Sequence, residues 1–243
     1  MKIIKLDAID STNSFLKEMV QKIPLQNYTV VTASAQKKGK GQMGAHWVSE
    51  PHKNLLCSVF VAFDALLVKD QMLLNYATSI AVYNVLKEYA VPKLQIKWPN
   101  DIMSDAKKIS GILIENVIQN RRIKSTVIGF GINVNQVAFP KNLLNATSIK
   151  KSIHKEIAID VLLKKIVAEL KSTMKLVIAS DKRKLEETYV SLLYKKNSPT
   201  MFRDDVGVLF MGMIIGVSSV GKLQIQLEDE SVIEFGIKEV SFA

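Results

Sequence analysis

The sequence predicts an α+β chain, a mixed β-sheet with helices packed on it, followed by a small C-terminal β-barrel. Three observations predict it. Apolar and β-branched runs at 28–35, 55–62, 109–118 and 123–134 read as strands, and they are interleaved with helically spaced apolar residues at 15–23 and 73–89. From 157 to 194 the spacing is helical alone. After 199, short alternating runs separated by glycine and acidic turns replace it. At 243 residues and 48% hydrophobic, the chain is long and apolar enough to bury a sizeable core, with room for one large domain and a small one. The expected division is 1–196 and 197–243, with Lys195-Lys196-Asn197-Ser198-Pro199 as the linker.

From the N-terminus, Ile3 to Leu6 reads as a strand. Asp10-Ser11-Thr12-Asn13 then caps a helix whose apolar face is Phe15, Leu16, Met19, Val20 and Ile23. Capping is one role for these polar groups; facing a ligand at the helix N-terminus is a second, since exposed N–H groups and the helix dipole favour polar partners there. Tyr28 to Ala35 is a β-branched strand. The stretch Gln36 to Trp47 contains G-x-G-x-x-G, but Trp47-Val48-Ser49-Glu50-Pro51 breaks any helix at once, so the dinucleotide-binding context fails, and no G-K-S or G-K-T ending makes it a P-loop. What remains is a glycine-rich basic loop able to close on an anion with backbone N–H groups and lysines. Leu55 to Ala62 is a further strand, and Leu73 to Tyr89 a helix with a broad apolar face, its aromatics belonging to the core.

The chemistry concentrates between Lys97 and Gly131. Gln95 to Trp98 reads as a short strand that Pro99 stops, leaving Asn100 and Asp101 at its end, facing a cleft. After a turn at Ser104 and Asp105, Ile109 to Ile118 is a buried strand. Lys108 stands at its entrance, and Gly111 leaves room for something to lie on the backbone. A cation beside bare backbone suits a carboxylate or phosphate. Asn120-Arg121-Arg122 turns the chain into Ile123 to Val134, which carries Gly129, Gly131 and Asn133. Taken singly, these are also ordinary surface lysines, a bulge and a turn pair; their order and spacing join them. Two amphipathic helices, Ile157 to Ala179 and Asp181 to Tyr194, look structural, and Val208 to Val217, Leu223 to Leu227 and Val232 to Phe235 are the strands of the small barrel.

Composition removes several classes of function. A net charge of +10 invites a nucleic-acid reading, but the lysines are scattered over many segments and no zinc-finger or RNA-recognition pattern occurs, so the charge is expected to serve solubility. No apolar stretch reaches the roughly 18 residues of a membrane span. Residues 1–13 lack a signal-peptide core, and a cytoplasmic protein is expected. Cys57, alone in an apolar strand, reads as a buried small hydrophobe, and with His46, His52 and His154 it makes no zinc-ligand pattern.

The run K-W-P-N-D at 97–101, then K-x-x-G-I-L from Lys108 and G-x-G-I-N-V-N from Gly129, resembles the catalytic domain of biotin protein ligases, also called biotin–acetyl-CoA-carboxylase ligases. Asp10-Ser11-Thr12-Asn13 and Ala146-Thr147-Ser148-Ile149 match shorter motifs of that family. Its G-R-G-R-x-G-R-x-W loop, followed by S-x-x-x-x-N-L, corresponds to Gly39 through Trp47 with Ser49, Asn54 and Leu55 in step. The departures are Lys40 for the first arginine, and Gln42 and Ala45 where arginines usually help hold the adenylate.

The resemblance implies a class II aminoacyl-tRNA-synthetase-like catalytic sheet and an SH3-like C-terminal barrel. It implies an enzyme that activates biotin with ATP and Mg²⁺ as biotinyl-5′-AMP and passes it to a lysine of a biotin carboxyl carrier protein. Ser11, Thr12, Asn13, Gln36, Gly39, Lys40, Gly41, Lys108, Gly111 and Gly131 are carried over as biotin contacts. Gln42, Trp47, Asn100, Asp101, Lys108 and Asn133 are carried over toward ATP and the adenylate, with Lys108 as the catalytic cation and Asp101 as a metal contact. A monomer or homodimer is expected, with no specific nucleic acid and no membrane as partner. Lipoate ligases and octanoyltransferases are the alternative within the same superfamily. A biotin-responsive repressor ranks lower, because the start of the chain leaves no room for the winged helix such proteins carry ahead of the first motif.

Overall fold

The structure, a computed structural model, describes residues 2–143, 145–178 and 181–243. β1 (Ile3–Ile9), β2 (Val30–Gln36), β3 (Asn54–Leu67), β4 (Leu94–Lys97), β5 (Asp101–Ser104), β6 (Lys107–Gln119) and β7 (Arg122–Asn133) form one sheet in the order β1-β2-β3-β7-β6-β5-β4. It is mixed: β1 runs parallel to β2, and every other pairing is antiparallel. The parallel pair requires a crossover, which α1 (Thr12–Lys22) supplies.

Alternation along β3 assigns the two faces. Leu55, Val59 and Val61 join the large core with α2 (Gln71–Glu88), α4 (Ile159–Ile178) and α5 (Lys182–Ser191). Phe60 turns the other way and packs with Val31, Val127 and Leu16 of α1. Burying both faces accounts for the near-continuous apolar runs of the central strands. No helix among the described residues is long and apolar enough to cross a membrane.

Beyond Ser198, β8 (Thr200–Asp204), β9 (Leu209–Val217), β10 (Leu223–Gln226), β11 (Val232–Phe235) and β12 (Val240–Phe242) form a second, antiparallel sheet in the order β11-β10-β9-β8-β12. The expected small barrel is thus a five-stranded sheet whose edge strands β11 and β12 are not neighbours, because the turn after Phe235 carries the chain to the far edge. Phe202, Ile214, Leu223 and Ile225 belong to the same core as α2 and α4, and the indole N–H of Trp98 donates to the Gly221 carbonyl at 3.2 Å. The stretch 195–198 makes a tight turn, with Lys195 and Asn197 in left-handed conformations and Asn197 N–H bonded to the Ile214 carbonyl.

Four short elements were not foreseen: β5, β8, β12 and α3 (Ile149–Ile153). Runs of three to five residues are too brief for apolar periodicity to register. The expected helix from Ile157 to Ala179 begins at Ile159 and is described to Ile178, Ala179 lying outside the described residues.

Candidate active site

Ser11 is the N-cap of α1, its hydroxyl accepting from the Ser14 N–H at 3.4 Å. The two residues after it are buried and point into a hydrogen-bonded network. Thr12 donates from its backbone N–H (2.7 Å) and its hydroxyl (3.1 Å) to the Gln36 side-chain carbonyl. Ser58 Oγ, facing α1 from β3, lies 2.5 Å from Asn13 Oδ1 and 2.8 Å from Thr12 Oγ1, so one proton serves two acceptors. Asn13 Nδ2 donates to Glu115 Oε2 at 2.9 Å, and Glu115 Oε1 accepts from Lys17 at 2.7 Å. Partial burial works to raise the Glu115 carboxyl. The hydrogen bonds from Lys17 and Asn13, with the charges of Lys17 and Lys40, outweigh it and hold the group below the usual range.

The opposite wall is the β4–β5 hairpin. Lys97 and Asp101 pair across it, and the three residues between them include the cis Trp98–Pro99 bond. Asp101 is therefore the first residue of β5, and it lines the cleft that the sequence predicted it to face. Asn75 and Tyr189 both donate to the Pro99 carbonyl, the latter at 2.8 Å, and Tyr189 stacks on Tyr76 with centroids 4.3 Å apart. Asn100 is bonded to β6 through its Nδ2 (2.5 Å to the Ile112 carbonyl) and its own carbonyl. These anchors leave Asp101 beside Lys108, with Nζ 2.7 Å from Oδ1. Lys97, by contrast, is lowered by burial and by the charge of Lys108, with Asp101 acting the other way.

Between these walls lies a cavity of about 230 Å³. Of the residues singled out in the sequence, Ser11, Thr12, Asn13, Gln36, Lys40, Gly41, Gln42, Trp47, Asn100, Asp101, Lys108, Gly111 and Gly131 line it. Gly39 and Asn133 do not. Gly39 holds the base of the glycine-rich hairpin, its carbonyl accepting from Trp47 N–H at 2.9 Å. Asn133 is buried and donates to the Thr147 carbonyl, fixing the segment that brackets Lys108: Lys108 N–H bonds Asn145 and Thr147 N–H bonds Lys108.

The two glycines also receive a side chain of the hairpin. Gly111 and Gly131 face each other across β6 and β7, as bare backbone for a ligand would require. In the structure the Trp47 indole lies on that floor: a Cβ at Gly131 would overlap its ring, and one at Gly111 would come within 3.0 Å of Cζ3. The indole N–H is buried without a partner, and Lys108 Nζ stands 5.6 Å from the ring centroid. Sequence reasoning gave no role to Ser58, Glu115 or Gly129. A Cβ at Gly129 would overlap the Asn13 amide, so Gly129 is what admits Asn13 to the sheet. Ser58 was detectable in principle, as a lone hydroxyl inside an apolar strand.

A family model described as the biotin/lipoate A/B protein ligase family matches residues 6–133, more than half of the chain. The chain belongs to that family. Bifunctional ligase/repressor BirA of Bacillus subtilis is 34% identical over 158 residues, 64% of this chain and 48% of that protein. A biotin–[acetyl-CoA-carboxylase] ligase of Paracoccus denitrificans is 30% identical over 128 residues, 51% of each chain. The chain spans about half the length of the curated relatives it matches. A biotin protein ligase from Aquifex aeolicus in complex with biotin and ATP shares the fold, with a TM-score of 0.80, covering 100% of this chain and 98% of that one at 24% identity. The family match runs from within β1 to the end of β7 and contains every residue on the cavity wall.

Proposed function

We propose that this family member is an ATP-dependent ligase that joins biotin to AMP and passes the biotinyl group to a lysine of a biotin carboxyl carrier protein. The observation that carries the reading is that one cavity is lined by the neutral hydrogen-bonding groups of Ser11, Thr12 and Gln36 on the α1 side and by the Lys108 cation beside Asp101. Biotin has the same polarity, with a ureido group of two N–H donors and one carbonyl at one end and a carboxylate at the other. Gln36 has its carbonyl committed to Thr12, which leaves its NH₂ group for a ligand acceptor. Lipoate or octanoate, the substrates of the alternative reading within this family, would place apolar atoms against the Gln36 NH₂ group and leave it without that partner, at a cost of about 1–3 kcal/mol.

The first step needs no general base, since a carboxylate is ionised at pH 7. Its oxygen attacks the α-phosphorus of ATP, the bond to the bridging oxygen breaks, and pyrophosphate leaves. Two anions meet at that moment. Lys108 supplies the compensating charge from a fixed position, held on one side by Asp101 and on the other by backbone bonds to Asn145 and Thr147. In the second step the ε-amine of the carrier lysine attacks the acyl carbon, AMP leaves, and the amine loses a proton.

No group of three or more histidine, cysteine, aspartate or glutamate side chains suited to a metal occurs among the described residues. Asp101 is the sole carboxylate on the cavity wall, and it is paired with Lys108. That donor set fits Mg²⁺ arriving with the nucleotide, held by phosphate oxygens and at most one protein carboxylate, and not a resident metal centre. Bound in this way, the ion supplies charge neutralisation on the phosphates.

The five-stranded C-terminal sheet is, in this reading, the counterpart of the SH3-like domain expected from the sequence, with the boundary near Lys196. Incubation with biotin, ATP, Mg²⁺ and a biotin carboxyl carrier domain tests the proposal. A biotinyl mass increment on one carrier lysine is expected. Modification with lipoate and not with biotin would transfer the reading to the alternative.

A further inference from the structure

We propose that Lys238, on the C-terminal sheet, is a positioning residue that clamps the glycine-rich hairpin over the cleft. Its Nζ donates to the Met43 carbonyl at 2.9 Å, a contact between residues 195 positions apart. Met43 is the tip of the hairpin, in a left-handed conformation (φ 52°, ψ 42°) between Gln42 and Gly44. The hairpin is closed by its own backbone bonds, Gly41 N–H to Ala45 and Ala45 N–H to Gln42, and by the Lys40–His46 bridge. Beneath the clamp, Lys238 lies in a tight turn in which Gly236 N–H donates to the Glu239 carboxylate at 2.5 Å and Glu239 N–H returns to Gly236.

Two observations give this contact a function beyond surface packing. Lys238 lines a second cavity, at the junction of the two sheets, and Asp101 lines both that cavity and the ligand cavity, so the lysine stands on a cavity that shares a wall residue with the cleft. The hairpin itself carries Gln42 just before its tip and Ala45 two residues after it, neither of them a cation. The only described side chain that hydrogen-bonds the tip carbonyl is therefore supplied by another part of the fold, and hairpin closure is coupled to docking of the C-terminal sheet. For ligand retention the inference rests on the proposed function; for hairpin closure it does not.

Hydrogen exchange at residues 39–46 tests it in wild type, Lys238→Met and Lys238→Arg, with and without synthetic biotinyl-AMP, alongside biotinyl-AMP release after rapid dilution. Lys238→Met removes the donor while keeping the chain length. Exchange of the Gly41 and Ala45 amides is expected to rise roughly three- to tenfold, the effect of losing a charge-assisted bond at a partly exposed site, and release to accelerate by a similar factor. Lys238→Arg, which restores a donor, is expected to return both toward wild type. Equal exchange in wild type and Lys238→Met overturns the clamp, as does acceleration that arginine fails to reverse. If wild type binds no biotinyl-AMP the proposed function fails, while exchange on the free protein still decides the clamp.

Discussion

Lys108 Nζ and Asp101 Oδ1, 2.7 Å apart, tie the entrance of β6 to the first residue of β5 at the edge of the ligand cavity. The pair is only partly buried, with 37% of the lysine and 22% of the aspartate side chain exposed, so its main consequence is placement. Asp101 restrains a flexible side chain where charge must later be neutralised.

Replacing Lys108 with alanine is therefore expected to slow adenylate formation by roughly 10²–10³-fold, as when a preorganised electrostatic donor is removed. The fold should persist, since the backbone bonds to Asn145 and Thr147 do not use the side chain. Pyrophosphate release in single turnover measures the step. A rate within tenfold of wild type would move the role to Lys97, the next lysine on that wall.

Gly131→Ala places a methyl group where the Trp47 ring lies. Backbone conformation is no obstacle in a strand, so the indole must shift, at the roughly 1–3 kcal/mol typical of overpacking. In a Trp98→Phe background, Trp47 is the remaining tryptophan. Its emission should move to the red as the half-buried ring gains access to water, with biotin affinity falling at least tenfold. An unchanged spectrum would show that the ring does not rest on the glycine floor in solution.

The Glu115 network is expected to make stability depend on acid. Its carboxyl is held below the ordinary range in the folded chain, so its contribution is present above the unfolded value, about 4.3 for glutamate, and is lost as pH falls through the folded value. Thermal melts of wild type and Glu115→Gln from pH 7 to pH 3 read this directly. The gap between them should be widest near neutrality and should narrow in acid; a gap independent of pH would mean that the carboxylate charge is not what orders Asn13.

Deleting residues 197–243 is expected to destabilise what remains. Phe202, Ile214, Leu223 and Ile225 share a core with α2 and α4, and Trp98 loses its partner at Gly221. The truncated chain should melt several degrees lower, bind a hydrophobic dye, and adenylate poorly because the β4–β5 hairpin loses its outer support. An unchanged melting temperature would mean that the C-terminal sheet contributes little to the common core.

Local order was legible in the chain itself. Ser11 as a cap, the helical spacing from Phe15 to Ile23, the β-branched runs of β2, β3, β6 and β7, and Pro99 ending β4 are consequences of neighbours within a few residues. The ordered motifs at 97–101, 108–113 and 129–135 were equally visible, and the cavity wall gathers most of the residues they contain.

What a single strand or helix cannot encode is which of its groups is already occupied. Asn13 looked available to a ligand until Ser58, Glu115 and the open backbone at Gly129 were brought against it, and Asn133 until Thr147 took its amide. Gly111 and Gly131 announced bare backbone, but only the path of the 39–47 hairpin decided that Trp47 would lie on it. Lys238, 195 residues from Met43, acquires its role solely because the C-terminal sheet docks beside β4 and β5. Propensity and spacing act over a few residues, so the sequence alone determined the elements and the inventory of reactive groups. Hydrogen bonding and exclusion act through space, so only the tertiary structure decided which of those groups face the cleft and which hold the others in place.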